Sequence, residues 1–309
     1  MTQSRLSKNA ALEKGMEKQI LKVKDFDVYD FKVFNKTKNN YKPTGYFIKV
    51  PDIFIQTNLP GEFGVNRIFL FVYCEIDRNR SYEDISFIRI RDIFEKCGYK
   101  INQRNKPKIF YEILKCLIFL RENNYIECDF DIGTISYNDC IRIRIVADTF
   151  DTPDSYTKLY GDALDTIIKM DTDTTRESIL SVFLYISSYI FIRPKNQNNE
   201  EVMHNPEFKP ESFWRSIESM TRELSMSKDT ISRCLYCLTS PVGDKEPLLI
   251  KREVGSIQST SKRQPQNVPN IYVLNKDGYE REIEWTISKI LKKYNTRSFR
   301  EMVGRNISS

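Results

Sequence analysis

The amino-acid sequence predicts an α+β protein, mainly helical, with two winged-helix modules in tandem, each a helix-turn-helix followed by a β-hairpin. Three observations support this prediction. Two amphipathic helical patterns separated by Ser225-Met226-Ser227 indicate the helix-turn-helix of the second half. Strand patterns at 248–254 and 271–274 enclose a polar loop and predict its hairpin. The first half has the same order of helices and hairpin, which indicates an internal repeat of architecture.

The elements of the first half follow from the spacing of its apolar residues. Phe110, Ile113, Leu114, Leu117 and Leu120 recur at intervals of three and four, which is typical of a helix. Strict alternation predicts a strand over 140–147. The predicted elements are a β-rich run at 46–55, a buried helix at 66–75, helices at 88–96 and 106–123, and strands at 125–132 and 140–147.

The elements of the second half follow in the same way. Thr174-Thr175-Arg176-Glu177 has the spacing of a capping box and opens an apolar helix that ends near Phe191. An amphipathic helix is predicted over 212–224. Ser227 can cap the next helix, Lys228–Leu238, whose inner face is Ile231, Cys234, Leu235 and Leu238.

The charge distribution suggests where the modules end. Residues 1–50 contain eleven Lys or Arg and five acids, whereas residues 151–180 contain three Lys or Arg and seven acids. Two basic ends that flank an acidic middle are compatible with two binding modules joined by a solvated linker. The predicted organisation is a basic arm at 1–44, a first module at 45–150, an acidic linker helix at 151–173, a second module at 174–278, and a basic helix and tail at 279–309.

The composition is that of a folded protein of about two domains. The 309 residues are 40% hydrophobic and carry a formal net charge of +6, which permits a polyanionic partner. His204 is the single histidine, which excludes sites that need a histidine cluster. Seven cysteines scattered through apolar segments predict reduced thiols in a cytoplasmic protein.

Several classes of site and location are disfavoured by the sequence. Residues 1–40 lack the apolar core of a secretory signal, and the apolar segment Ile179–Ile192 is short for a bilayer-spanning helix, so no membrane association is predicted. Neither a P-loop nor a dinucleotide motif occurs. Cys234 and Cys237 form a C-x-x-C without a second pair nearby, so core thiols are predicted rather than a zinc site. No cofactor and no metal is expected.

The helix at Lys228–Leu238 has the properties needed to read double-stranded DNA. The major groove admits one helix, which must pack on one side and present polar side chains on the other. An arginine can donate two bonds to a guanine edge, and hydroxyl groups can reach phosphates or bases. The candidate contacts are Lys228, Thr230, Ser232, Arg233 and Tyr236 on the helix, Lys262 and Arg263 in the hairpin loop, and Arg104, Lys106 and Lys108 in the first module.

Three stretches resemble the tandem winged-helix replication initiators of plasmids and phages in low-GC Gram-positive bacteria. They are the Gly98-Tyr99 turn with the helix through Leu114-Lys115-Cys116-Leu117, the segment Leu224–Arg233, and the closing strand Pro269–Leu274. The resemblance extends over about residues 45–275 as a pattern. It implies a protein that recognises repeated sites at an origin, helps to open the duplex and recruits host replication proteins.

The resemblance also assigns residues and shows one departure. It implies DNA contacts for Lys228, Thr230, Ser232 and Arg233 in the second module, and for Lys262 and Arg263 in its wing. The third helix of the first half is mostly apolar, which favours a role in homodimerisation over base reading.

Other functions remain open at the level of the sequence. A transcriptional regulator would use the same fold. A tyrosine-dependent DNA-nicking enzyme is a different class, with Tyr137, Tyr156 and Tyr160 near acidic residues as candidate nucleophiles. A protein-interaction scaffold that has lost DNA contact is the third alternative. We expect a DNA-binding protein without catalytic activity.

Overall fold

The computed structural model has an α+β fold that is mainly helical, with small antiparallel sheets. It forms two compact units, and the larger one consists of Lys42–Tyr189 and Ile217–Leu248. Of the described residues, the smaller unit contains 190, 210–216 and those from 249 onward. The structure describes residues 46–56, 61, 63–81, 84–99, 106–128, 131–146, 156–190, 210–254, 256–257 and 266–290.

The first part of the larger unit matches the predicted order with two exceptions. Residues 52–55, predicted as part of a β-rich run, form a short helix, and an unpredicted strand at 85–89 includes the first two residues of the helix predicted over 88–96. Gly98, at φ 75°, ends the third helix in the left-handed conformation that glycine adopts without strain. The elements are β1 (Phe47–Pro51), α1 (Asp52–Ile55), α2 (Ile68–Arg78), β2 (Ile85–Arg89), α3 (Ile90–Cys97), α4 (Lys106–Glu122), β3 (Ile126–Cys128), a 3₁₀ turn (Ile132–Thr134) and β4 (Cys140–Ile145).

The second part of the larger unit begins with another strand followed by helices. These elements are β5 (Tyr156–Tyr160), α5 (Gly161–Lys169), α6 (Arg176–Tyr189), α7 (Ile217–Leu224) and α8 (Lys228–Thr239). The smaller unit contains β6 (Leu249–Arg252), β7 (Ser256–Ile257), β8 (Gln266–Asn267), β9 (Ile271–Leu274) and a helix, α9, at 279–290.

Helix α2 lies at the centre of the larger unit. Every residue from Ile68 to Asp77 is buried, and the helix packs against α3, α4, α6, β1 and β2. Its two buried acids are paired, since Lys96 donates to Glu75 and the Tyr46 hydroxyl donates to Asp77. The second carboxylate oxygen of Glu75, Oε1, is buried without a hydrogen-bond partner among the described residues and lies 3.6 Å from the Arg78 Nη1.

Strands β1 and β5 pair antiparallel in a register that is symmetric about one residue of each strand. Lys49 lies opposite Lys158, and each strand ends two residues further on and runs directly into a helix. The side chains repeat this symmetry: the Lys49 Nζ lies 5.1 Å from the centre of the Tyr156 ring, and the Lys158 Nζ lies 4.8 Å from that of Phe47. The pairing is therefore isologous, as between two copies related by a two-fold axis.

The three-stranded sheet of the larger unit has the order β2-β4-β3. Ile141, Ile143 and Ile145 alternate with exposed arginines, so one face of β4 lies in the core. The alternation predicted for this strand is confirmed. Strand β2, which precedes the helix pair in the chain, completes the sheet by pairing with β4.

The smaller unit has its own apolar core. The hairpin strands β6 and β9 pair antiparallel, and the isolated bridge between Phe213 and Tyr272 adds a short third segment beside β9. The Ser212 and Thr286 hydroxyl groups lie 2.6 Å apart and join the segment before the bridge to α9. The core residues are Val268, Ile271, Val273, Tyr279, Ile283, Ile287 and Ile290.

Three further predictions differ from the structure. Residues 156–160 form a strand and not part of an acidic linker helix, because Leu159 and Thr157 are buried in the pair with β1. The helix predicted from residue 212 begins at Ile217, since Phe213 is in a β-bridge. The larger unit also runs through 151–173, so the predicted linker does not separate the two units.

Among the described residues, no helix is both long enough and apolar enough to cross a membrane.

Candidate nucleic-acid interface

A short turn connects helices α7 and α8 in the larger unit. Ser225 follows α7 at φ 50°, a left-handed conformation, and the chain then enters α8. The Ser227 Oγ accepts a hydrogen bond of 3.1 Å from the Thr230 backbone N–H, which satisfies one of the free donors at the start of α8. The two hydroxyl groups of this pair are 2.8 Å apart. The predicted cap is confirmed.

Helix α8 has one buried stripe and one exposed face, as its sequence spacing predicts. Ile231, Cys234, Leu235 and Leu238 are buried, and the helix packs against α6 and α7. The exposed face carries cationic, hydroxyl and aromatic side chains, and 74% of the Tyr236 surface is accessible. The exposed residues are Lys228, Asp229, Ser232, Arg233 and Tyr236.

The predicted contacts on α8 divide into two groups. Lys228, Ser232, Arg233 and Tyr236 share the exposed face, with the Lys228 Nζ 3.7 Å from the Glu218 carboxylate of α7. Thr230 is half-buried, and both its backbone N–H and its hydroxyl interact with Ser227. Its role in the structure is therefore to complete the cap.

The remaining predicted contacts lie on α4 or outside the described residues. Lys106 is half-buried at the start of α4, with its Nζ 3.8 Å from the centre of the Tyr137 ring, and Lys108, two residues further along the helix, is exposed. Arg104, Lys262 and Arg263 lie outside the described residues. The hairpin loop that contains the last two therefore stays a prediction.

The C-x-x-C motif of α8 lies within the packed part of the helix. Cys234 is buried, and burial is the main cause that raises the pKa of its thiol to about 12, with the neighbouring Cys237 adding to the effect. The Cys237 Sγ lies 3.4 Å from the Thr172 hydroxyl. No group of three or more potential metal-ligating side chains occurs among the residues that the structure describes.

A second helix repeats the pattern of α8. Ile113–Leu120 of α4 reads Ile-Leu-Lys-Cys-Leu-Ile-Phe-Leu, and Ile231–Leu238 of α8 reads Ile-Ser-Arg-Cys-Leu-Tyr-Cys-Leu. The residues at the matching positions Ile, Cys, Leu and Leu are buried in both helices. Lys115 therefore occupies the position of Arg233.

Sequence reasoning missed Lys115 because α4 is so apolar overall. The match between the two eight-residue segments could have identified it. The Lys115 Nζ lies 3.4 Å from the Glu112 carboxylate and 4.9 Å from the centre of the Tyr111 ring, and Tyr111 is 59% exposed. The outer side of α4 thus presents a lysine and an aromatic ring beside partly exposed aliphatic residues.

The tyrosines considered as nucleophiles are all half-buried. Tyr137 lies under Lys106, and burial followed by the nearby Glu95 raises the pKa of its hydroxyl. Tyr156 and Tyr160 are the two ends of strand β5, and Tyr160 contacts the Phe47 ring edge-on. Their side chains contribute to packing between β1 and β5.

Comparisons with protein-family models, with curated proteins and with solved structures found no match for this chain.

Proposed function

We propose that this protein binds double-stranded DNA in a sequence-specific manner and inserts helix α8 into the major groove. The observation that carries the proposal is the division of α8 into a buried aliphatic stripe and an exposed face with Lys228, Ser232, Arg233 and Tyr236. A helix held from behind by a second helix, with its polar side free, has the geometry that groove reading requires.

The roles of the side chains follow from their chemistry. Arg233, in the middle of the exposed face, donates two parallel hydrogen bonds to the O6 and N7 atoms of a guanine. Lys228 and Ser232 contact phosphate oxygens on either side. Asp229 shares this face, and its carboxylate accepts from the amino group of a cytosine. The mixed charge of the face favours particular base pairs over a uniform attraction to phosphate.

The order of elements supports two winged-helix modules in tandem. A helix, a strand, a helix pair and a hairpin follow one another from α2 to β4, and the first strand completes the sheet β2-β4-β3. The same order runs from α6 to β9, with the Phe213 bridge at the position of β2. A helix pair with such a hairpin is the arrangement of a winged helix.

We propose further that the biological role is replication initiation at a plasmid or phage origin. The three stretches that resemble tandem winged-helix initiators support this role. It implies origin repeats as the DNA target, host replication proteins as partners, and the first module as either a second DNA reader or a dimerisation surface. A transcriptional regulator with the same modules is the alternative, and a tyrosine-dependent nickase is the alternative from the enzyme class.

The first test of DNA binding is selection of duplexes from a random-sequence pool by the full-length protein. We expect a defined sequence to be enriched. The Arg233→Glu variant should bind that duplex more weakly by about 1–3 kcal/mol and tolerate more bases at one position. The control is Arg91→Glu, the same charge reversal at an exposed arginine of α3 whose partner is Glu95 on its own helix. Equal losses for both variants, or no enrichment, would contradict groove reading by α8.

The second test separates the biological roles. Supercoiled DNA that carries repeats of the selected site beside an A·T-rich segment is incubated with the protein and a divalent ion. An initiator renders bases in that segment reactive to permanganate, whereas a regulator binds without opening the duplex. A nickase leaves protein covalently attached to a 5′ end.

A further inference from the structure

The turn of the α7–α8 pair is held by an arginine from a distant part of the chain. The Arg67 guanidinium, directly before α2, donates through Nη2 to the carbonyl oxygens of Leu224, at 3.2 Å, and Ser225. These carbonyls belong to the last residue of α7 and to the left-handed residue after it. Carbonyls at a helix end lack partners within the helix, so a charged donor satisfies them well.

The corresponding turn after α3 also has an arginine against it. The guanidinium of Arg176, at the start of α6, lies where a side chain on Gly98 would begin, with Nη1 1.3 Å from the ideal position of a Cβ atom. Arg176 is itself fixed in place, because it donates at 2.9 Å to the carbonyl oxygens of both Ile168 and Met170. Gly98 thus allows close approach of the arginine in addition to its φ of 75°.

The two arginines occupy equivalent positions in the internal repeat. The register of β1 and β5 makes Lys49 equivalent to Lys158, and the same offset along the chain makes Arg67 equivalent to Arg176. Helices α3 and α7 have eight residues each, and Gly98 and Ser225 directly follow them with positive φ. Arg67 therefore lies at the start of α2 in the first repeat and contacts the turn after α7 in the second repeat. Arg176 lies at the start of α6 in the second repeat and against the turn after α3 in the first repeat.

We propose that Arg67 is a positioning residue for the DNA-reading helix α8 and clamps the turn before it, whereas the equivalent Arg176 packs against Gly98 and donates to carbonyls of its own repeat. This inference rests on the proposed function, because it assigns a purpose to the orientation of α8. Arg67 fixes the end of α7 relative to α2, the buried central helix, and α8 begins three residues after Ser225. The orientation of α8 is thereby set by the first repeat as well as by its own.

Two other contacts hold the same helix end and limit how it can move. The hydroxyl groups of Tyr185 and Tyr189 on α6 both donate to the Glu223 Oε2, at 2.8 Å and 3.1 Å. Burial lowers the pKa of the Arg67 guanidinium, and the nearby Glu177 carboxylate opposes that lowering. With the side chain of Glu223 held by α6, we expect loss of Arg67 to release the backbone of the turn while these two hydrogen bonds remain.

The experiment compares full-length protein with Arg67→Gln, Arg67→Lys and the charge-matched control Arg91→Gln. Hydrogen exchange is measured on the segment 222–230, and affinity is measured for the selected duplex and for a scrambled duplex over a range of salt concentrations. We expect Arg67→Gln to raise exchange of the turn amides and to weaken binding of the selected duplex, each by about tenfold. Binding of the scrambled duplex and its salt dependence stay unchanged, because Arg67 contacts protein carbonyls and no phosphate.

The other variants complete the test. Arg67→Lys keeps the positive charge and a donor group on a shorter side chain and should recover part of both losses, and Arg91→Gln should change neither. If Arg67→Gln does not fold, as judged by circular dichroism, exchange and affinity are compared between the wild-type protein and Arg67→Lys. Unchanged exchange in the turn would overturn the clamp, and raised exchange with an unchanged ratio of selected to scrambled affinity would overturn the positioning role. Failure of the proposed function gives a different result: the wild-type protein selects no duplex, although exchange still responds to Arg67→Gln.

Discussion

The buried carboxyl group of Glu177 should make the stability of the larger unit fall as the pH rises. The residue lies in the first turn of α6, and its Oε1 accepts a hydrogen bond of 2.5 Å from the Tyr99 hydroxyl. Its Oε2 is buried and has no hydrogen-bond partner among the described residues. Burial raises the pKa of Glu177, although the Tyr99 hydroxyl and the Arg67 charge favour the ionised form.

The sign of the effect follows from proton linkage. A carboxyl group whose pKa is raised in the folded state binds more protons when folded than when unfolded, so the free energy of unfolding decreases with increasing pH. The decrease begins near the unfolded pKa of about 4.3 and is complete above the raised pKa of the folded state. Below about pH 4.3 the group is neutral in both states and its burial carries no charge penalty.

The perturbation is Glu177→Gln, which keeps the shape and the oxygen that accepts from Tyr99 but removes the charge. An unpartnered buried polar atom costs about 1–3 kcal/mol, and a charged one costs more. Because the amide nitrogen of the variant is also buried without a partner, we expect a net gain of about 1 kcal/mol at neutral pH. This gain should raise the melting temperature by about 2–4 °C.

The assay is urea unfolding of wild type and variant at several values between about pH 5 and pH 8. The difference in the free energy of unfolding should grow in favour of the variant as the pH rises. Glu122→Gln, at an exposed position at the end of α4, is the control and should show no such trend. A difference that stays constant with pH, or one that grows in favour of wild type, would refute the argument from burial.

Three further predictions concern the helix ends. Ser225→Gly should raise the melting temperature, because glycine relieves a left-handed φ of 50° that costs about 1 kcal/mol, and a lower melting temperature would count against this. Gly98→Ala should lower the midpoint of urea unfolding by more than an alanine substitution at an exposed position does. The reason is that φ is 75° and that the Arg176 guanidinium occupies the position of the new Cβ atom, and an unchanged midpoint would contradict it. Ser227→Ala should cost about 1 kcal/mol by removing the cap of α8, whereas Ser232→Ala at an exposed position of the same helix should cost nothing. Similar midpoints for these last two variants would show that the cap is not stabilising.

The helices could largely be predicted from the sequence because their apolar spacing is local information. Helix α4 begins at the predicted Lys106, and α8 begins at the predicted Lys228 after a serine cap. The outward orientation of Arg233 followed from the same spacing. The spacing could not show that Thr230 belongs to the cap, since that depends on a hydroxyl hydrogen bond with Ser227.

The strands that pair over long distances were harder to predict. Strand β2 runs directly into α3, and residues 88 and 89, which end the strand, were interpreted as the start of a helix over 88–96. Strand β5 lies in an acidic stretch whose composition suggested a solvated linker. Strand β5 is stabilised by pairing with β1, which lies more than a hundred residues earlier in the chain. The local spacing of residues does not predict a partner that is so distant in sequence.

The symmetric pairing of β1 with β5 has a consequence for dividing the chain. A fragment that stops at residue 150, where composition suggested a boundary, would contain β1 without the strand that covers it. Ile48 and Val50, both fully buried in the intact protein, would then lie beside an open edge with unsatisfied backbone groups. Such a piece would be prone to associate through that edge, so a fragment of the larger unit should contain both β1 and β5.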